Sequence, residues 1–158
     1  MNTLNYIRLD SDKTAKIIAK LQQLLADYHV YYSNLRGYHW NVKGSGFFTL
    51  HEKLEEWYDN AADRIDEIAE RILTLGDVPE NRPDDYLKKA RIQSVGNIAC
   101  GETAATNVRA DLDVLIALER ELKILADNAG DEGTASMMSD YIRSQEKLVW
   151  MLTAFLSK

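Results

Sequence analysis

Proline and glycine are missing from four long stretches of this chain, and this distribution constrains the fold more than any other feature. The only two prolines, Pro79 and Pro83, lie close together near the middle, and the eight glycines fall in short segments. The stretches free of both residues are 1–36, 47–75, 102–129 and 134–158. Glycine in a helix interior costs about 1 kcal/mol, and proline costs more. The distribution therefore predicts four long helices.

Apolar residues inside these stretches recur at helical spacing. In the first stretch, the residues from Ile17 to Leu35 follow the i, i+3, i+4 rule for one face of a helix. The candidate end signals are Asp10, Ser11 and Asp12 for the first helix, Thr49 with Glu52 and then Gly76 for the second, Gly130 for the third and Asp131 for the fourth. These signals support the same four helices.

The connections between these helices define a topology. Those between helices one and two and between helices three and four are short, which favours antiparallel hairpins. Residues 77–101 separate helices two and three, and a compact domain seldom contains so long a loop without structure. Within them, residues 84–92 have the composition of a short helix. We predict an all-α fold, a four-helix bundle with a short extra helix in its long crossover, which is the ferritin-like arrangement, and a single domain spanning 1–158.

The second predicted helix carries a pattern of potential metal ligands. His51 and Glu55 share one face, as do Asp66 and Glu70, because residues four apart are neighbours on a helix. At 100° per residue, all four positions fall on a stripe roughly 100° wide. Imidazole nitrogens with carboxylate oxygens suit divalent iron, manganese or zinc.

The two pairs are too far apart to bind one metal within one helix. At 1.5 Å per residue, positions 51 and 66 are separated by about 22 Å, whereas metal–ligand bonds are about 2 Å long. Either the pairs belong to a solvated acidic face, or a second copy of the helix runs antiparallel across a two-fold axis. In the second case the axis passes near Ala61 and Ala62, which are small enough for close helix approach.

Composition limits the compartment and the partners. The formal net charge of −6 argues against a general affinity for nucleic acid, which requires basic surfaces. No apolar run is long enough to cross a membrane, and the first residues lack the apolar core of a secretory signal. The lone cysteine, Cys100, cannot form an internal disulfide and is expected to be a small buried residue. We expect a cytoplasmic protein without a membrane partner.

The strings His39-Trp40-Asn41-x-x-Gly44, His51-Glu52-x-Leu54 and Asp66-x-x-x-Glu70 resemble the Dps family of mini-ferritins. The resemblance extends over nearly the whole chain. It implies a hollow shell of twelve subunits that oxidises Fe(II), preferentially with hydrogen peroxide, at dinuclear iron sites on two-fold interfaces, and stores the Fe(III) mineral. It also implies protection of the cell from oxidative damage.

The resemblance assigns metal ligands residue by residue. His39, His51 and Glu55 come from one subunit, and Asp66 and Glu70 come from its partner. Glu55 stands where the family usually has Asp, which makes it the least secure of the five ligands. Trp40 matches a tryptophan beside the centre that intercepts one-electron oxidants, although packing at a helix end would also explain it. True ferritins use a Glu-x-x-His motif within one bundle, and this sequence has none.

Other family traits transfer less well. The lysine-rich terminal arm of DNA-condensing members is absent from the sequence, so DNA binding is not expected, and a nucleoid-binding structural protein of the same fold is the alternative. A metal-free acidic bundle is a third reading. The candidates for lining a cation pore are Asp127, Asp131, Glu132 and Asp140, and the competing role for Asp131 is the N-cap of the last helix. His29 belongs to no motif and is expected to be a structural or surface histidine.

Overall fold

A computed structural model describes residues 3–157, and these residues form six α-helices. The helices are α1 (Leu4–Ile7), α2 (Ser11–Asn41), α3 (Phe47–Thr74), α4 (Pro83–Lys89), α5 (Gly101–Ala129) and α6 (Glu132–Leu156). Helices α2, α3, α5 and α6 are the four predicted long helices, and α4 is the predicted crossover helix. The short helix α1 was not predicted. Every helix among residues 3–157 is too short or too polar to cross a lipid bilayer.

The ends of the helices agree with the sequence at some positions and differ at others. Asp10 caps α2 by accepting a hydrogen bond from the Lys13 amide at 2.9 Å, as predicted. However, α2 continues through Gly37 as far as Asn41, because nothing crowds Gly37 and the next two residues, Tyr38 and His39, are buried. The predicted capping box of Thr49 and Glu52 is wrong. Helix α3 already begins at Phe47, after a turn at Gly44 with φ of +98° and with Gly46 as its N-cap.

Two buried polar side chains of α2 hold the crossover against the bundle. The Asp27 carboxylate accepts the Arg91 backbone amide at 2.6 Å and the Arg91 guanidinium Nη2 at 2.9 Å. The Asn34 side chain donates to the Gln93 carbonyl at 2.9 Å and accepts from the Val95 amide at 3.0 Å. Residues 91–95, which have no regular structure, are therefore fixed by side chains that the bundle itself positions.

The middle of the bundle contains a polar network rather than apolar packing alone. The Tyr28 hydroxyl donates to Glu119 Oε1 at 2.9 Å and accepts from Arg64 Nη1 at 2.9 Å and from Gln145 Nε2 at 2.6 Å. Gln145 Nε2 also donates to Glu119 Oε1 at 2.7 Å. These four residues come from four different long helices, so the network joins α2, α3, α5 and α6 at one point.

Candidate metal centre

His39 and His51 meet at the corner where α2 turns into α3. His39 lies in the last turn of α2 and is only 8% exposed, and His51 lies near the start of α3 and is half-buried. Their imidazole rings stack with centroids 3.8 Å apart and an interplanar angle of 19°. The turn through Gly44 therefore brings together two side chains that are twelve positions apart in sequence.

Each of these imidazoles is hydrogen-bonded to the backbone of the other. His39 Nδ1 lies 2.8 Å from the His51 carbonyl oxygen, and His51 Nδ1 lies 2.9 Å from the His39 carbonyl oxygen. A carbonyl oxygen can only accept, so both Nδ1 atoms carry the proton and donate it. In the neutral rings, both Nε2 atoms therefore keep a lone pair, and this is the form in which imidazole binds metals.

Aromatic side chains surround the histidine pair. Phe47 stacks on His51 with centroids 5.0 Å apart, and Tyr58 meets His39 edge-on at 5.3 Å. Tyr32 in turn meets Tyr58 edge-on at 6.0 Å. These rings fix the orientation of the two imidazoles, and the periodicity of the sequence marked neither Tyr32 nor Tyr58 as part of a site.

Trp40, the residue that the resemblance placed beside the centre, is 66% exposed. Its ring lies 5.0 Å from the Arg36 guanidinium carbon, and the same guanidinium lies 4.9 Å from the Tyr32 ring. Arg36 is therefore sandwiched near two aromatic faces, an arrangement that cation–π attraction favours. Trp40 is packed by Arg36 on one side and remains open to solvent in the single chain.

The three candidate carboxylates of α3 are all exposed. Glu55 lies one turn after His51, so it is the one that can lie beside the histidine pair within the same chain. Asp66 and Glu70 lie further along the same unbroken helix, and the rise of an α-helix puts position 66 about 22 Å from position 51. Among residues 3–157, no three His, Cys, Asp or Glu side chains come together in an arrangement that could hold a metal ion.

The donor set nevertheless fits iron, because it combines imidazole nitrogen with hard carboxylate oxygen. Two Nε2 lone pairs are available at the corner, and the three exposed carboxylates of Glu55, Asp66 and Glu70 lie on one stripe of α3. The two alanines midway between the ligand pairs of α3 differ in burial. Ala61 is 1% exposed and packs into the core of its own chain, whereas Ala62 is exposed. Of the two small residues predicted to lie near the two-fold axis, only Ala62 is open to a second helix in the single chain.

The candidate pore residues have different surroundings. Asp131 is 1% exposed and is the N-cap of α6: it accepts from the Thr134 amide at 3.0 Å and forms an ion pair with Arg71. This is the competing role predicted for Asp131, and its carboxylate is too enclosed to line a pore. Asp127 pairs with Lys123 at 2.7 Å. Asp140 pairs with Arg143 at 2.7 Å, and Glu132 is exposed.

Two remaining predictions concern Cys100 and His29. Cys100 is exposed rather than buried in the single chain, so the expectation of a buried thiol is wrong. It precedes α5 at a point where the chain runs beside the histidine corner, with the Lys43 amide donating to the Ala99 carbonyl at 2.9 Å. His29 stacks on Tyr86 of the crossover helix with centroids 3.7 Å apart, which is the structural role expected for it.

Burial changes the acidity of several groups near the site and in the core. Burial raises the pKa of Glu119 to about 7, although hydrogen bonds from Tyr28 and Gln145 and the charge of Arg64 act in the opposite direction. Burial also raises the pKa of Asp111 to about 6. Desolvation and the negative charge of Glu55 raise the pKa of the Tyr58 phenol above its usual value. Tyr58 is therefore a neutral phenol at physiological pH, close to the Glu55 carboxylate.

The bundle with one long crossover and a corner of paired imidazoles defines a ferritin-like protein. The ferritin-like domain family matches residues 18–158. A Dps protein of Vibrio cholerae, described as a member of a superfamily of ferritin-like diiron-carboxylate proteins, superposes with a TM-score of 0.92 at 46% identity over 94% of each chain. A Dps protein of Bacillus brevis superposes with a TM-score of 0.90 at 35% identity, covering 94% of this chain and 99% of that one.

Sequence comparison gives the same family. The chain is 47% identical to the DNA protection during starvation protein of Porphyromonas gingivalis, over 95% of this chain and 94% of that protein. It is 41% identical to DNA protection during starvation protein 2 of Bacillus anthracis, over 90% of this chain and 98% of that one. The chain belongs to the Dps family of ferritin-like proteins.

Proposed function

We propose that this protein oxidises and stores iron at dinuclear sites that two copies of the chain build together. The observation that carries the proposal is the pair of interlocked histidines at the α2–α3 corner, whose Nε2 atoms are not hydrogen-bonded, while Asp66 and Glu70 lie too far along α3 to reach them within one chain. His39, His51 and Glu55 of one copy and Asp66 and Glu70 of a second copy would hold the iron. The description of the Vibrio cholerae relative as a diiron-carboxylate protein supports iron as the metal.

An antiparallel pairing of two α3 helices accounts for the spacing of the ligands. If a two-fold axis passes between positions 60 and 61, position 51 of one copy faces position 70 of the other, and position 55 faces position 66. Both ligand pairs are then matched by the same operation, and the two copies form two identical sites. Asp59 faces Ala62 at the centre of this pairing, and both are exposed in the single chain.

Iron is the substrate of such a site, and two bound Fe(II) ions give it its chemistry. Each Fe(II) supplies one electron, and hydrogen peroxide takes up two electrons and two protons to give two water molecules. The pair of ions thus reduces peroxide without releasing hydroxyl radical. The protein contributes two neutral imidazoles of fixed orientation and carboxylates that lower the net positive charge of the product Fe(III). We infer a hollow shell of twelve copies in the cytoplasm as the store for the Fe(III) mineral.

Binding to the nucleoid is the second candidate function. The names of the relatives from Porphyromonas gingivalis and Bacillus anthracis refer to DNA protection. The net charge of −6 disfavours direct contact with phosphates, so we propose that protection of DNA would arise from removing iron and peroxide. A gel shift that weakens steeply with added salt would support direct binding instead.

The test mixes two inactive variants. In a shared site, His51→Ala and Asp66→Asn each disable every site when present alone. A dimer of one variant with the other keeps one intact site, because one copy supplies His51 and the other supplies Asp66. Random mixing by co-expression at equal levels should restore about a quarter of the wild-type sites.

The readout is ferric absorbance after anaerobic Fe(II) loading and a pulse of peroxide, with the mass of the assembly recorded on the same samples. Asp113→Asn, an exposed acid on α5, is the matched control and should behave as wild type. Restored oxidation in the mixture supports the shared site. Failure of the mixture to exceed the single variants in intact assemblies would sink the proposal, because it would place all ligands within one copy.

A further inference from the structure

A basic cavity lies between α3 and α6, although the protein as a whole is acidic. The cavity has a volume of about 290 Å³. Its wall on α3 runs from Lys53 to Arg64, and its wall on α6 runs from Ser144 to Met151. The charged residues that line it are three bases and one acid: Lys53, Arg64, Lys147 and Glu56. The local charge is therefore opposite in sign to the formal net charge of −6 of the chain.

Arg64 places a permanent positive charge at one end of this cavity. Its side chain is 8% exposed. The hydrogen bonds that it donates to the hydroxyls of Tyr28 and Ser144 use two of the five N–H donors of a guanidinium. Glu119 is the core carboxyl whose charge acts on Arg64, and burial raises the pKa of that carboxyl to about 7. Near neutral pH, the core therefore balances the charge of Arg64 only in part.

A second positive charge lies beside the first. Lys147 follows Ser144 by three positions on α6, which puts it on the same face of that helix, next to the residue that Arg64 contacts. Among residues 3–157, no carboxylate forms an ion pair with Lys147. Lys53, at the other end of the α3 wall, differs because it pairs with Glu56 at 2.7 Å. The positive charges of Arg64 and Lys147 are thus the ones that remain available to an anion.

The lining next to these charges is apolar. Trp57 of α3 and Leu148 of α6 are half-buried, and Met151 of α6 is 44% exposed. A ligand with an apolar body would remove these side chains from water, which is favourable in proportion to the apolar area covered. Beyond Arg64, the groove continues into a second cavity whose lining includes the acids Asp63, Glu67 and Asp140. These acids repel an anion that extends in that direction, so they limit its length.

We propose that the cavity between α3 and α6 binds a small organic anion, with its charged head between Arg64 and Lys147 and its apolar body against Trp57 and Met151. The volume suits a ligand built on a single ring, and an apolar lining with a few convergent polar groups is typical of small-molecule sites. Both ends of the ligand are matched: two bases meet the head, and large apolar side chains meet the body.

The position of the cavity on α3 keeps it separate from the candidate metal ligands. At 100° per residue, the cavity-lining positions 53, 57, 60 and 64 centre about 160° around α3 from positions 51, 55, 66 and 70. The cavity therefore stays open when two copies of α3 pair as proposed above. Binding of the anion goes beyond the proposed ferroxidase function and does not depend on it.

The experiment is isothermal titration calorimetry on the metal-free assembly with four probes. Phenyl phosphate and benzoate each combine an anionic head with a ring, inorganic phosphate has the head alone, and benzyl alcohol has the ring without a charge. We expect phenyl phosphate or benzoate to saturate at one per chain, and the tighter of the two identifies the head group. Inorganic phosphate should bind at least tenfold more weakly, and benzyl alcohol should give no saturable heat.

Substitutions at exposed positions test each half of the site without disturbing the core. Lys147→Met should weaken binding of the ring anion at least fivefold, whereas Lys147→Arg should stay within twofold of wild type. Met151→Ala should weaken the ring anion at least threefold and leave inorganic phosphate unchanged. Lys16→Met, which removes an exposed lysine of α2 outside the cavity, is the control and should bind as wild type does.

Three outcomes would overturn the proposal. The first is the absence of saturable binding for both ring anions. The second is binding that Lys147→Met leaves unchanged, because the anion would then lie elsewhere on the surface. The third is inorganic phosphate that binds as tightly as the ring anions, which would remove the role of Trp57 and Met151. Because no metal is present in these titrations, none of these outcomes affects the proposal of a shared iron site.

Discussion

His39 and His51 each donate a hydrogen bond from Nδ1 to the backbone carbonyl of the other, at 2.8 and 2.9 Å. The His39 carbonyl belongs to the last turn of α2, where carbonyls lack a partner within the helix. The hydrogen bond from His51 therefore satisfies a carbonyl at the end of α2, and the two hydrogen bonds together fix both imidazoles. The two Nε2 atoms are oriented in the metal-free chain, so binding of iron as proposed would not have to order these side chains.

Replacing His39 by Ala should weaken iron binding strongly and affect stability only modestly. The variant loses one of the proposed ligands and the ring stacked on His51, so we expect at least a tenfold loss of Fe(II) affinity. The free energy of unfolding should fall by about 1–3 kcal/mol, since the carbonyl of residue 39 still accepts from His51. Anaerobic titration and urea unfolding measure the two effects. His29→Ala, which removes an imidazole outside the site, should bind iron as wild type does; equal affinities in the two variants would contradict the ligand role.

Glu119 should make stability fall as pH rises through the acidic range. Burial raises its pKa to about 7 in the folded chain, well above the ordinary value for a glutamate, so the folded state holds the proton more tightly than the unfolded state does. The free energy of unfolding should therefore decrease between pH 4.5 and pH 7 and then level off, by on the order of 3 kcal/mol from this group.

Glu119→Gln tests this prediction because the amide cannot ionise. The difference in unfolding free energy between this variant and wild type should move in favour of the variant as pH rises from 4.5 to 7.5. Urea unfolding of both proteins across this range gives the difference. The control is Glu121→Gln. Glu121 is an exposed acid on the same helix as Glu119, and it pairs with Lys20 of α2. A difference that does not change with pH would mean that Glu119 does not titrate in this range.

Replacing Asp131 should destabilise the protein far more than replacing Asp127, although both residues were candidates for lining the same pore. Asp131→Ala removes the N-cap of α6 and leaves the Arg71 guanidinium, which is 19% exposed, without its ion-pair partner. We expect a loss of about 2–4 kcal/mol in stability. Asp127→Ala breaks an exposed pair with Lys123 and should cost under about 1 kcal/mol. Urea unfolding of both variants checks the ranking, and a reversed order would contradict the burial of Asp131.

Asp27 should control the order of the crossover. Asp27→Ala removes the acceptor for the Arg91 amide and guanidinium, so residues 91–95 lose a main anchor to α2. We expect faster amide hydrogen exchange in this segment, with little change in α5. Asp85→Ala, which breaks pairs with Arg82 and Lys88 within or beside α4, is the matched control. Equal exchange in both variants would show that Asp27 is not the anchor.

The sequence contained enough to predict the helices because proline and glycine exclusion acts locally. It misplaced the ends of two helices because those depend on packing. Gly37 is a poor helix residue, but burial of Tyr38 and His39 in the following turn offsets a cost of about 1 kcal/mol. Thr49 has good capping chemistry, but the left-handed turn at Gly44 moves the N-cap of the next helix three residues earlier, to Gly46.

Sequence spacing and motifs were enough to predict which residues are candidate ligands. They were not enough to predict how the side chains around the histidine pair are arranged. The mutual hydrogen bonds of the histidines depend on how a corner folds, and no periodicity encodes this. The aromatic contacts of Tyr58 and the burial of Asp131 likewise depend on which helices pack side by side. Assembly of the five ligands remains a prediction, because it requires a second copy of the chain.

The buried positive charge of Arg64 affects the bundle in a way that its hydrogen bonds alone do not. Its guanidinium is 8% exposed and lies between Tyr28 and Ser144, so a permanent positive charge is fixed in the middle of the bundle. In a medium of low dielectric constant, such a charge strongly repels any divalent cation that approaches. We expect this charge to disfavour entry of divalent cations into the bundle at pH values below about 7, where the neighbouring Glu119 carboxyl is largely protonated, so that iron bound as proposed would stay on the outer face of α3.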